Sequence, residues 1–349
     1  MAVQATSEKG SGIRARARSR GIPAWVHIDL TWRCNLRCVH CYLPERVTPE
    51  LSQREVLSLL DELAEAGTLS VLFSGGEVLL RKDLLAIVEH ARHLHFEVLI
   101  KTAGTLVTAE FARRLAQLRV SRVDISLYAD QAEAHDAITG MRGSFARTLA
   151  AIQHLTSSGV RVRVVHTLMR GGATDFISVE RLARGIGAEY RFSASVYPRL
   201  NGDGTTTRLN LPLPVKQALF SHPDHCVAFE EGSGQNGGSA QGRLLCQAGH
   251  TSCYISPFGE VWPCVLFPLP LGNVREQPFQ KIWRESPVLQ GLRGMLPQDL
   301  HTCSTCALKK FCSRCPGQAY LNGDLFGPSP VDCELTYART GLRPAPLRE

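Results

Sequence analysis

The 349-residue sequence predicts an α/β fold followed by a second, cysteine-rich region. Residues 25 to about 195 alternate short apolar runs with longer amphipathic runs, which is typical of strands and helices around a parallel sheet. Beyond about residue 245 this alternation stops, and short turn-rich segments hold eight of the 12 cysteines. A chain of this length can bury the core of one large and one smaller domain.

Six apolar runs are predicted strands, because turn residues bound them and β-branched or aromatic residues are frequent in them. They are residues 25–30, 69–73, 97–101, 122–128, 161–169 and 189–196. Amphipathic segments between them are predicted helices, at 51–67, 81–94, 108–118, 144–159 and 177–187. Ser52 and Glu55 have the spacing of a capping box at the start of the first helix. Six such units fit an open partial barrel or a doubly wound sheet, and periodicity does not choose between them.

The first segment carries much of the formal net charge of +7, through Arg14, Arg16, Arg18 and Arg20. We expect residues 1–24 to be a disordered basic tail, since short basic runs at termini are commonly solvated. A hook for an acidic peptide or nucleic acid is the functional alternative. No other basic stripe is interleaved with aromatic residues, so nucleic-acid binding is not expected.

Neither a membrane span nor an export signal is expected. No apolar run approaches membrane-spanning length, and the N-terminal segment lacks the apolar centre of a secretory signal. These features predict a cytoplasmic protein with no membrane partner, whose thiols stay reduced.

Three cysteines, Cys34, Cys38 and Cys41, lie within eight residues just after the first predicted strand. Clustered thiols in a reducing compartment bind metal more often than they form disulfides. Three thiolates around a cubic iron–sulfur cluster leave one iron open to another ligand. A zinc site with a further Cys or His, and three unrelated thiols, are the alternatives.

A second motif follows the second predicted strand, where Gly75 and Gly76 precede Glu77. The glycines would let a ligand approach the backbone, and the Glu77 carboxylate could accept a hydrogen bond from an ammonium group. Ser126, at the end of the fourth strand, and Arg142 lie at the same edge of the sheet. Together they suit a zwitterionic ligand, whereas a strand hydroxyl and a surface cation are the structural alternatives for these two residues.

With these motifs in this order, residues 25 to about 195 resemble the radical S-adenosylmethionine (SAM) superfamily. The resemblance implies a partial (β/α)6 TIM-like barrel in which Cys34, Cys38 and Cys41 hold a 4Fe–4S cluster whose open iron binds SAM. It implies SAM contacts from His40, Gly75, Gly76, Glu77, Ser126 and Arg142. Two departures are Val78, where the family often has Pro, and Thr102-Ala103-Gly104, where Thr-Asn-Gly is common.

The remaining cysteines resemble the SPASM domain, an auxiliary-cluster extension of peptide-modifying radical SAM enzymes. That resemblance implies two further 4Fe–4S clusters, three in all, with interleaved ligands. The first would use Cys246, Cys253, Cys264 and Cys315, and the second Cys303, Cys306, Cys312 and Cys333. Paired zinc sites are the alternative. The gap between Cys312 and Cys315 is one residue shorter than is usual in SPASM domains. Cys226 has no assigned role.

The predicted organisation is therefore a radical SAM core barrel over 25–200, a connecting segment with a Gly/Ser-rich loop over 201–245, and a small α+β SPASM domain over 246–349. The implied reaction is reductive cleavage of SAM to a 5′-deoxyadenosyl radical, which abstracts hydrogen from the substrate. An electron donor such as flavodoxin or ferredoxin is the implied partner for this step.

The substrate implied by this layout is a precursor peptide, which the enzyme would mature by a crosslink or another oxidative modification. A separate leader-peptide-binding protein is then a further partner. Formylglycine formation is an alternative, although Val265 stands where such maturases typically have Asp. The remaining alternatives are an enzyme that acts on a small molecule or a tetrapyrrole, and a non-catalytic metal-binding protein. No catalytic residue is assigned; Asp124, His166 and Tyr197 are candidate bases.

Overall fold

A computed structural model describes residues 12–172, 176–222 and 246–342. One nine-stranded sheet organises these residues, in the order β6-β5-β4-β3-β2-β1-β7-β8-β9. The first six strands pair in parallel with their sequence neighbours and form the predicted partial barrel. They are β1 (Trp25–Thr31), β2 (Ser70–Gly75), β3 (Glu97–Thr102), β4 (Arg122–Ser126), β5 (Val162–Thr167) and β6 (Glu189–Ser193).

Helices cover the outer face of this barrel, because every second strand residue is apolar and fully buried against them, as Val71, Phe73 and Ile100 show. The helices are α1 (12–19), α2 (Gln53–Glu65), α3 (Leu84–His93), α4 (Ala109–Gln117), α5 (Ala132–Thr139), α6 (Ser144–Ser157), α7 (Phe176–Gly185) and α8 (Leu213–Phe220). Short 3-10 turns occupy Val78–Leu80 and Gly204–Leu209.

The capping box predicted at the start of α2 is present. The Ser52 backbone N–H donates to Glu55 at 2.7 Å, and the Glu55 backbone N–H donates to the Ser52 hydroxyl at 3.3 Å. Helix α5 was not predicted, because its eight residues give too short a stretch for a clear helical period. It turns out to contact the loop that carries the first three cysteines.

The basic N-terminal segment differs from its predicted disorder over residues 12–19, which form α1. Alternating Ala and Arg favour a helix, since both have high helix propensity. Ala17 is buried, the Ile22 N–H donates to the Ala17 carbonyl at 2.8 Å, and the Arg14 guanidinium lies 5.6 Å from the Trp25 ring centroid. These contacts dock α1 beside the first strand.

The C-terminal region extends the barrel sheet. Strand β7 (Ser252–Ile255) pairs in parallel with β1, and β8 (Glu260–Trp262) and β9 (Gly272–Asn273) follow antiparallel. The helices are α9 (Phe279–Glu285), α10 (Pro287–Gly294), α11 (His301–Ser304), α12 (Pro316–Leu321) and α13 (Pro330–Thr340), with a 3-10 turn at Pro297–Asp299.

This region also shares the apolar core of the barrel, which corrects the expectation of a separate small core organised by metal. Ile255, Val261 and Trp283 belong to the same buried cluster as Ile28 and Phe73. Sequence alone missed this because β7 is only four residues long and its parallel partner is more than 200 residues away.

Two expectations fall on residues 223–245. Cys226 and the Gly/Ser-rich loop at 230–243 lie outside the described residues. Among the helices of the described ranges, none has the length and apolar character needed to cross a membrane.

Candidate active site

The loop that follows β1 brings Cys34, Cys38 and Cys41 together at the carboxyl edge of the barrel. The end of α5 holds this loop in place, since Arg37 N–H donates to the Thr139 carbonyl at 2.9 Å and Val39 N–H to Ile138 at 3.0 Å. The Leu36 N–H donates to the Cys34 sulfur at 3.3 Å. A backbone N–H aimed at sulfur favours the thiolate, which is the form that ligates metal.

The three thiols influence one another electrostatically. Burial, helped by the neighbouring Cys41 and Cys34 sulfurs, raises the pKa of Cys38 to about 12. Burial also raises the pKa of Cys34, with Glu77 and Cys41 adding to the rise. Three thiolates this close together need a positive group between them, so the donor set fits a metal cluster.

The two glycines after β2 pack against the beginning of the cysteine loop. Gly76 N–H donates to the Thr31 carbonyl at 2.8 Å, and Glu77 N–H donates to the Arg33 carbonyl at 2.9 Å. Gly75 has φ +142°, and a Cβ at Gly76 would lie 2.5 Å from the Arg33 carbonyl oxygen. The glycines thus allow the chain's own backbone to approach, where the sequence had suggested only a ligand.

Glu77 is fully buried and ties the ends of β2 and β3 together. Its Oε1 accepts the Thr102 hydroxyl at 2.6 Å and the Leu79 N–H at 3.1 Å, and its Oε2 accepts the Ala103 N–H at 3.0 Å. Burial raises the pKa of this carboxyl, and these hydrogen bonds lower it. Oε2 accepts a single hydrogen bond in the described chain, so it retains capacity for the predicted ammonium.

His40 lies beside the cysteine loop with its ring edge against Tyr128, at 4.7 Å between ring centroids. Burial, helped by the nearby Lys101 charge, lowers its pKa to about 4, so the ring is neutral near pH 7. Its buried Nδ1 has no partner within the described residues. An unpartnered, neutral ring nitrogen at this place fits the predicted position against adenine.

Ser126 and Arg142 are the two less direct SAM contacts predicted from sequence. Ser126 ends β4 and lies half-buried, close to Tyr128. Arg142 is exposed on the turn between α5 and α6, which Asp136 anchors by accepting the Gly143 N–H at 2.5 Å. The structure therefore puts Ser126 at the barrel edge and Arg142 on the outer rim, and the carboxylate role of Arg142 stays a prediction.

A second group of sulfurs forms around Cys264. Burial raises the pKa of Cys264 to about 11 and that of Cys315 to about 12, and Cys246 contributes to both shifts. The Ala248 N–H donates to the Cys246 sulfur at 3.4 Å. Cys253, the fourth predicted member, is buried on β7, and its nearest charged influence is Arg293, which lowers its pKa against burial.

A third group of sulfurs gathers around Cys333. Burial and the neighbouring sulfurs of Cys312, Cys303 and Cys306 together raise the pKa of Cys333 to about 12. The structure thus groups Cys246, Cys264 and Cys315 apart from Cys303, Cys306, Cys312 and Cys333. It shows no sulfur acting on Cys253, which belongs to the apolar core, so the full interleaved ligand set stays a prediction. In the described ranges, no three His, Cys, Asp or Glu side chains are close enough to hold a single metal ion.

Tyr42 connects the first and second sulfur groups, and sequence analysis did not single it out. Burial raises the pKa of its phenol, and Asp29, Cys41 and Cys264 all act in the same direction. The Leu200 N–H donates to the Tyr42 carbonyl at 2.9 Å, and the ring packs against the apolar cluster of Leu200, Tyr254 and Trp262. Tyr42 therefore lies within electrostatic range of both Cys41 and Cys264.

The three candidate bases lie in different settings. Asp124 forms ion pairs with Arg122 at 2.7 Å and Arg163 at 2.5 Å, so both of its oxygens are engaged. His166 is fully buried, with its Nδ1 2.9 Å from the Tyr190 hydroxyl. Tyr197 is half-buried near Cys315 and Cys264, and burial raises its pKa to about 12. Asp124 and His166 thus have structural partners, and Tyr197 faces the second sulfur group.

Comparison with known families matches both regions of the chain. The sequence model of the radical SAM superfamily matches residues 28–176, and that of the SPASM iron–sulfur cluster-binding domain matches residues 246–316. An AdoMet-dependent heme synthase of Methanosarcina barkeri is 30% identical, over 88% of this chain and 95% of its own length. The mycofactocin maturase MftC of Mycobacterium tuberculosis is 32% identical, over 93% of this chain and 86% of its own length.

Solved structures confirm the fold. Streptococcus suis SuiB bound to S-adenosylmethionine has a TM-score of 0.72 at 18% identity, covering 91% of this chain and 80% of that chain. The structure of anSMEcpe with bound AdoMet has a TM-score of 0.68 at 14% identity, covering 91% of this chain and 97% of that chain. With both family regions matched and full-length relatives at 30% identity or above, the chain belongs to the radical SAM superfamily and is an enzyme with a SPASM iron–sulfur domain.

Proposed function

We propose that this enzyme matures a peptide by an oxidative modification, such as a crosslink, at a site between the SAM-cluster loop and the first auxiliary cysteines. Tyr42 carries the proposal, because it directly follows Cys41 and packs in the same apolar cluster as Val265, the residue after Cys264. The direct pairing of β1 with β7 holds these two regions in register, from Trp25↔Ser252 to Ile28↔Ile255.

Eleven described cysteines provide the ligands for the proposed metal groups. Cys34, Cys38 and Cys41 would hold the SAM cluster, and the two interleaved sets would hold the auxiliary clusters. When bound, SAM and its cluster would supply a hydrogen-abstracting 5′-deoxyadenosyl radical, and the auxiliary clusters would supply a sink for the electron of an oxidative product. The protein's own contribution is to orient the reacting groups and to exclude water.

Several residues of this chain serve that contribution. Glu77 offers an acceptor for the ammonium of SAM, and His40 offers an uncharged face for its adenine. The buried network around Asp29 makes the wall below the cysteine loop rigid, because Asp29 accepts the Tyr254 hydroxyl at 2.7 Å and the Trp32 indole N–H at 3.1 Å. A rigid wall keeps a reactive radical close to its intended target.

Two relatives support a peptide substrate. MftC is named a maturase, and a structure of SuiB bound to the precursor peptide SuiA resembles this chain with a TM-score of 0.70. A tetrapyrrole substrate is the second candidate, since the heme synthase is 30% identical and covered over 95% of its length. A separate leader-binding protein and a flavodoxin- or ferredoxin-like electron donor complete the proposal for a peptide substrate.

The test compares the two substrate classes with one enzyme preparation. Anaerobically reconstituted protein, SAM and dithionite are incubated with the small-peptide fraction of the host, or separately with Fe-coproporphyrin III. Mass spectrometry then follows products and 5′-deoxyadenosine. The proposal expects a peptide that loses hydrogen in step with 5′-deoxyadenosine release. Turnover of the tetrapyrrole with no altered peptide would overturn the peptide assignment.

A further inference from the structure

The inner face of the barrel carries a row of charged side chains. The strand register places Lys101 opposite Asp124, and Asp124 opposite Arg163, on β3, β4 and β5. On these strands the neighbouring residues Ile100, Val123 and Val164 are fully buried against the helices. Because side chains alternate along a strand, the charged residues face the barrel interior.

Electrostatic neighbours of Lys101 show that this interior is shared by distant strands. Asp29 on β1, Asp124 on β4, Arg163 on β5 and Arg191 on β6 all act on the Lys101 ammonium. Strands β1 and β6 are separated by four others in the sheet, so side chains from both come within electrostatic range of Lys101 by projecting into the barrel. Burial lowers the pKa of Lys101, and the two aspartates raise it.

The carboxylates near these cations are already engaged, including Glu189, which lies opposite Arg163 on β6 and pairs with Arg161 at 2.6 Å. Asp124 pairs with Arg122 and Arg163, and Asp29 accepts hydrogen bonds from Tyr254 and Trp32. Within the described ranges, no hydrogen bond or ion pair reaches Lys101 or Arg191. The Nε of Arg163 is buried and has no partner there either. Lys101, Arg163 and Arg191 therefore offer N–H donors for which the described carboxylates of this face leave no acceptor.

We propose that Lys101, Arg163 and Arg191 bind a carboxylate of the substrate inside the barrel. Lysine supplies a compact charge, and the arginines supply planar N–H donors that match a carboxylate. The inference rests on the peptide function proposed above and makes it more specific: the peptide enters with a terminal or side-chain carboxylate pointing to β3, β5 and β6. This anchor positions the C–H bond to be attacked, through contacts remote from the reacting atoms.

The site is distinct from the predicted carboxylate contact of SAM. That contact involves the open iron and Arg142, on the turn after α5, whereas the three cations lie along the inner strands. Lys101 nevertheless lies close enough to His40 to influence its pKa, so the test must measure SAM binding in its own right.

The test uses benzoate as a carboxylate probe and benzamide as its uncharged equivalent. Binding to the full, anaerobically reconstituted, SAM-loaded enzyme is measured by calorimetry for the wild type, Lys101→Met, Arg191→Met and Arg191→Lys. Lys281→Met, at an exposed position on α9, is the matched control. Arg191 is itself exposed on an edge strand, so its variants fold even if Lys101→Met does not.

We expect benzoate to bind more tightly than benzamide. The benzoate affinity should fall about tenfold in Lys101→Met and in Arg191→Met and should recover partly in Arg191→Lys. Lys281→Met should bind benzoate like the wild type. Equal binding of the two probes, or Met variants that bind benzoate like the wild type, would overturn the proposal. A parallel loss of SAM affinity in the Met variants would also overturn it, by assigning the cations to SAM.

A second arm identifies the source of the carboxylate. Random synthetic peptides with a free C-terminus, and the same pool amidated, are retained on wild-type and Arg191→Met enzyme and read by mass spectrometry. If amidated peptides are no longer retained, the cations bind the C-terminal carboxylate of the peptide. If peptides with Asp or Glu are retained by the wild type but not by Arg191→Met, the cations bind a side-chain carboxylate. Retention that ignores amidation, acidic residues and Arg191 contradicts a carboxylate anchor while leaving peptide maturation itself intact.

Discussion

Gly76 donates its backbone N–H to the Thr31 carbonyl at 2.8 Å, so the second motif is joined to the base of the cysteine loop. A Cβ at Gly76 would lie 2.5 Å from the Arg33 carbonyl oxygen and 2.6 Å from that of Trp32. Both are backbone atoms that cannot turn aside. The two sequence motifs are therefore one structural unit.

Gly76→Ala is expected to displace the cysteine loop. The variant should lose about 3 kcal/mol or more of unfolding free energy, since a backbone clash has no flexible partner to relieve it. Chemical denaturation measures the loss, and iron analysis should show a deficit at the SAM cluster. Gly143→Ala, where no atom lies within 4 Å of the added Cβ, controls for a glycine change and carries only the strain of its positive φ. Equal effects of the two substitutions would contradict the close-approach explanation.

The interleaved auxiliary ligands predict separable iron losses. Wild-type enzyme should bind about twelve irons if three cubic clusters form. Cys264→Ala and Cys333→Ala should each remove about four, from different clusters, because the sulfurs that influence Cys264 and Cys333 do not overlap. Iron and sulfide analysis with Mössbauer spectra measures this, and Cys226→Ala serves as a control. Loss of both auxiliary clusters in either variant would contradict the partition.

Glu77→Gln should weaken both the fold and SAM binding. The amide would direct its NH2 at one of three donors, from Thr102, Leu79 or Ala103, and leave that donor unpaired at a cost of about 1–3 kcal/mol. It would also remove the charge offered to the SAM ammonium. Denaturation and SAM titration report the two effects separately. Unchanged SAM affinity, at a measurable loss of stability, would restrict Glu77 to a structural role.

His135 should make stability fall in mild acid. It is almost fully buried, with its Nδ1 3.0 Å from the Ser144 hydroxyl, and burial lowers its pKa to about 4. The unfolded chain therefore takes up a proton first as the pH falls below about 6.5. Unfolding free energy should drop by about 1 kcal/mol between pH 6.5 and 5.5 for this group alone.

His135→Gln should reduce that slope, measured by denaturant titration at several pH values. His93→Gln, at an exposed helix position, controls for the substitution. A wild-type slope that survives in His135→Gln would mean that other buried histidines, such as His166, carry the effect.

Sequence alone predicted the six barrel strands and the cysteine motifs because their signals are local. Apolar runs bounded by turns mark β1 to β6, and Cys34, Cys38 and Cys41 need only one loop to meet. The sequence could not place β7 beside β1, because Trp25 and Ser252 pair across more than 200 residues. For the same reason it missed Tyr42, whose neighbours Cys41 and Cys264 come together only in the folded sheet.

The charged interior shows a second limit of sequence reasoning. Arg163 and Arg191 occupy alternate positions in apolar strands. This alternation shows which residues share a face of the sheet, but it does not show whether that face is the inner or the outer one. Only the packing of Val164 against the helices assigns the arginines to the interior. A cation in a predicted strand is therefore worth locating before it is dismissed as a surface residue.

The central claim is that Cys34, Cys38 and Cys41 hold a cluster with one iron open to SAM. The most direct measurement is the electron paramagnetic resonance spectrum of the reduced, anaerobically reconstituted enzyme, with and without SAM, using a variant that lacks the auxiliary ligands Cys264 and Cys333. The account predicts a spectrum that changes on SAM addition and disappears in Cys38→Ala. A reduced cluster whose spectrum ignores SAM would contradict it.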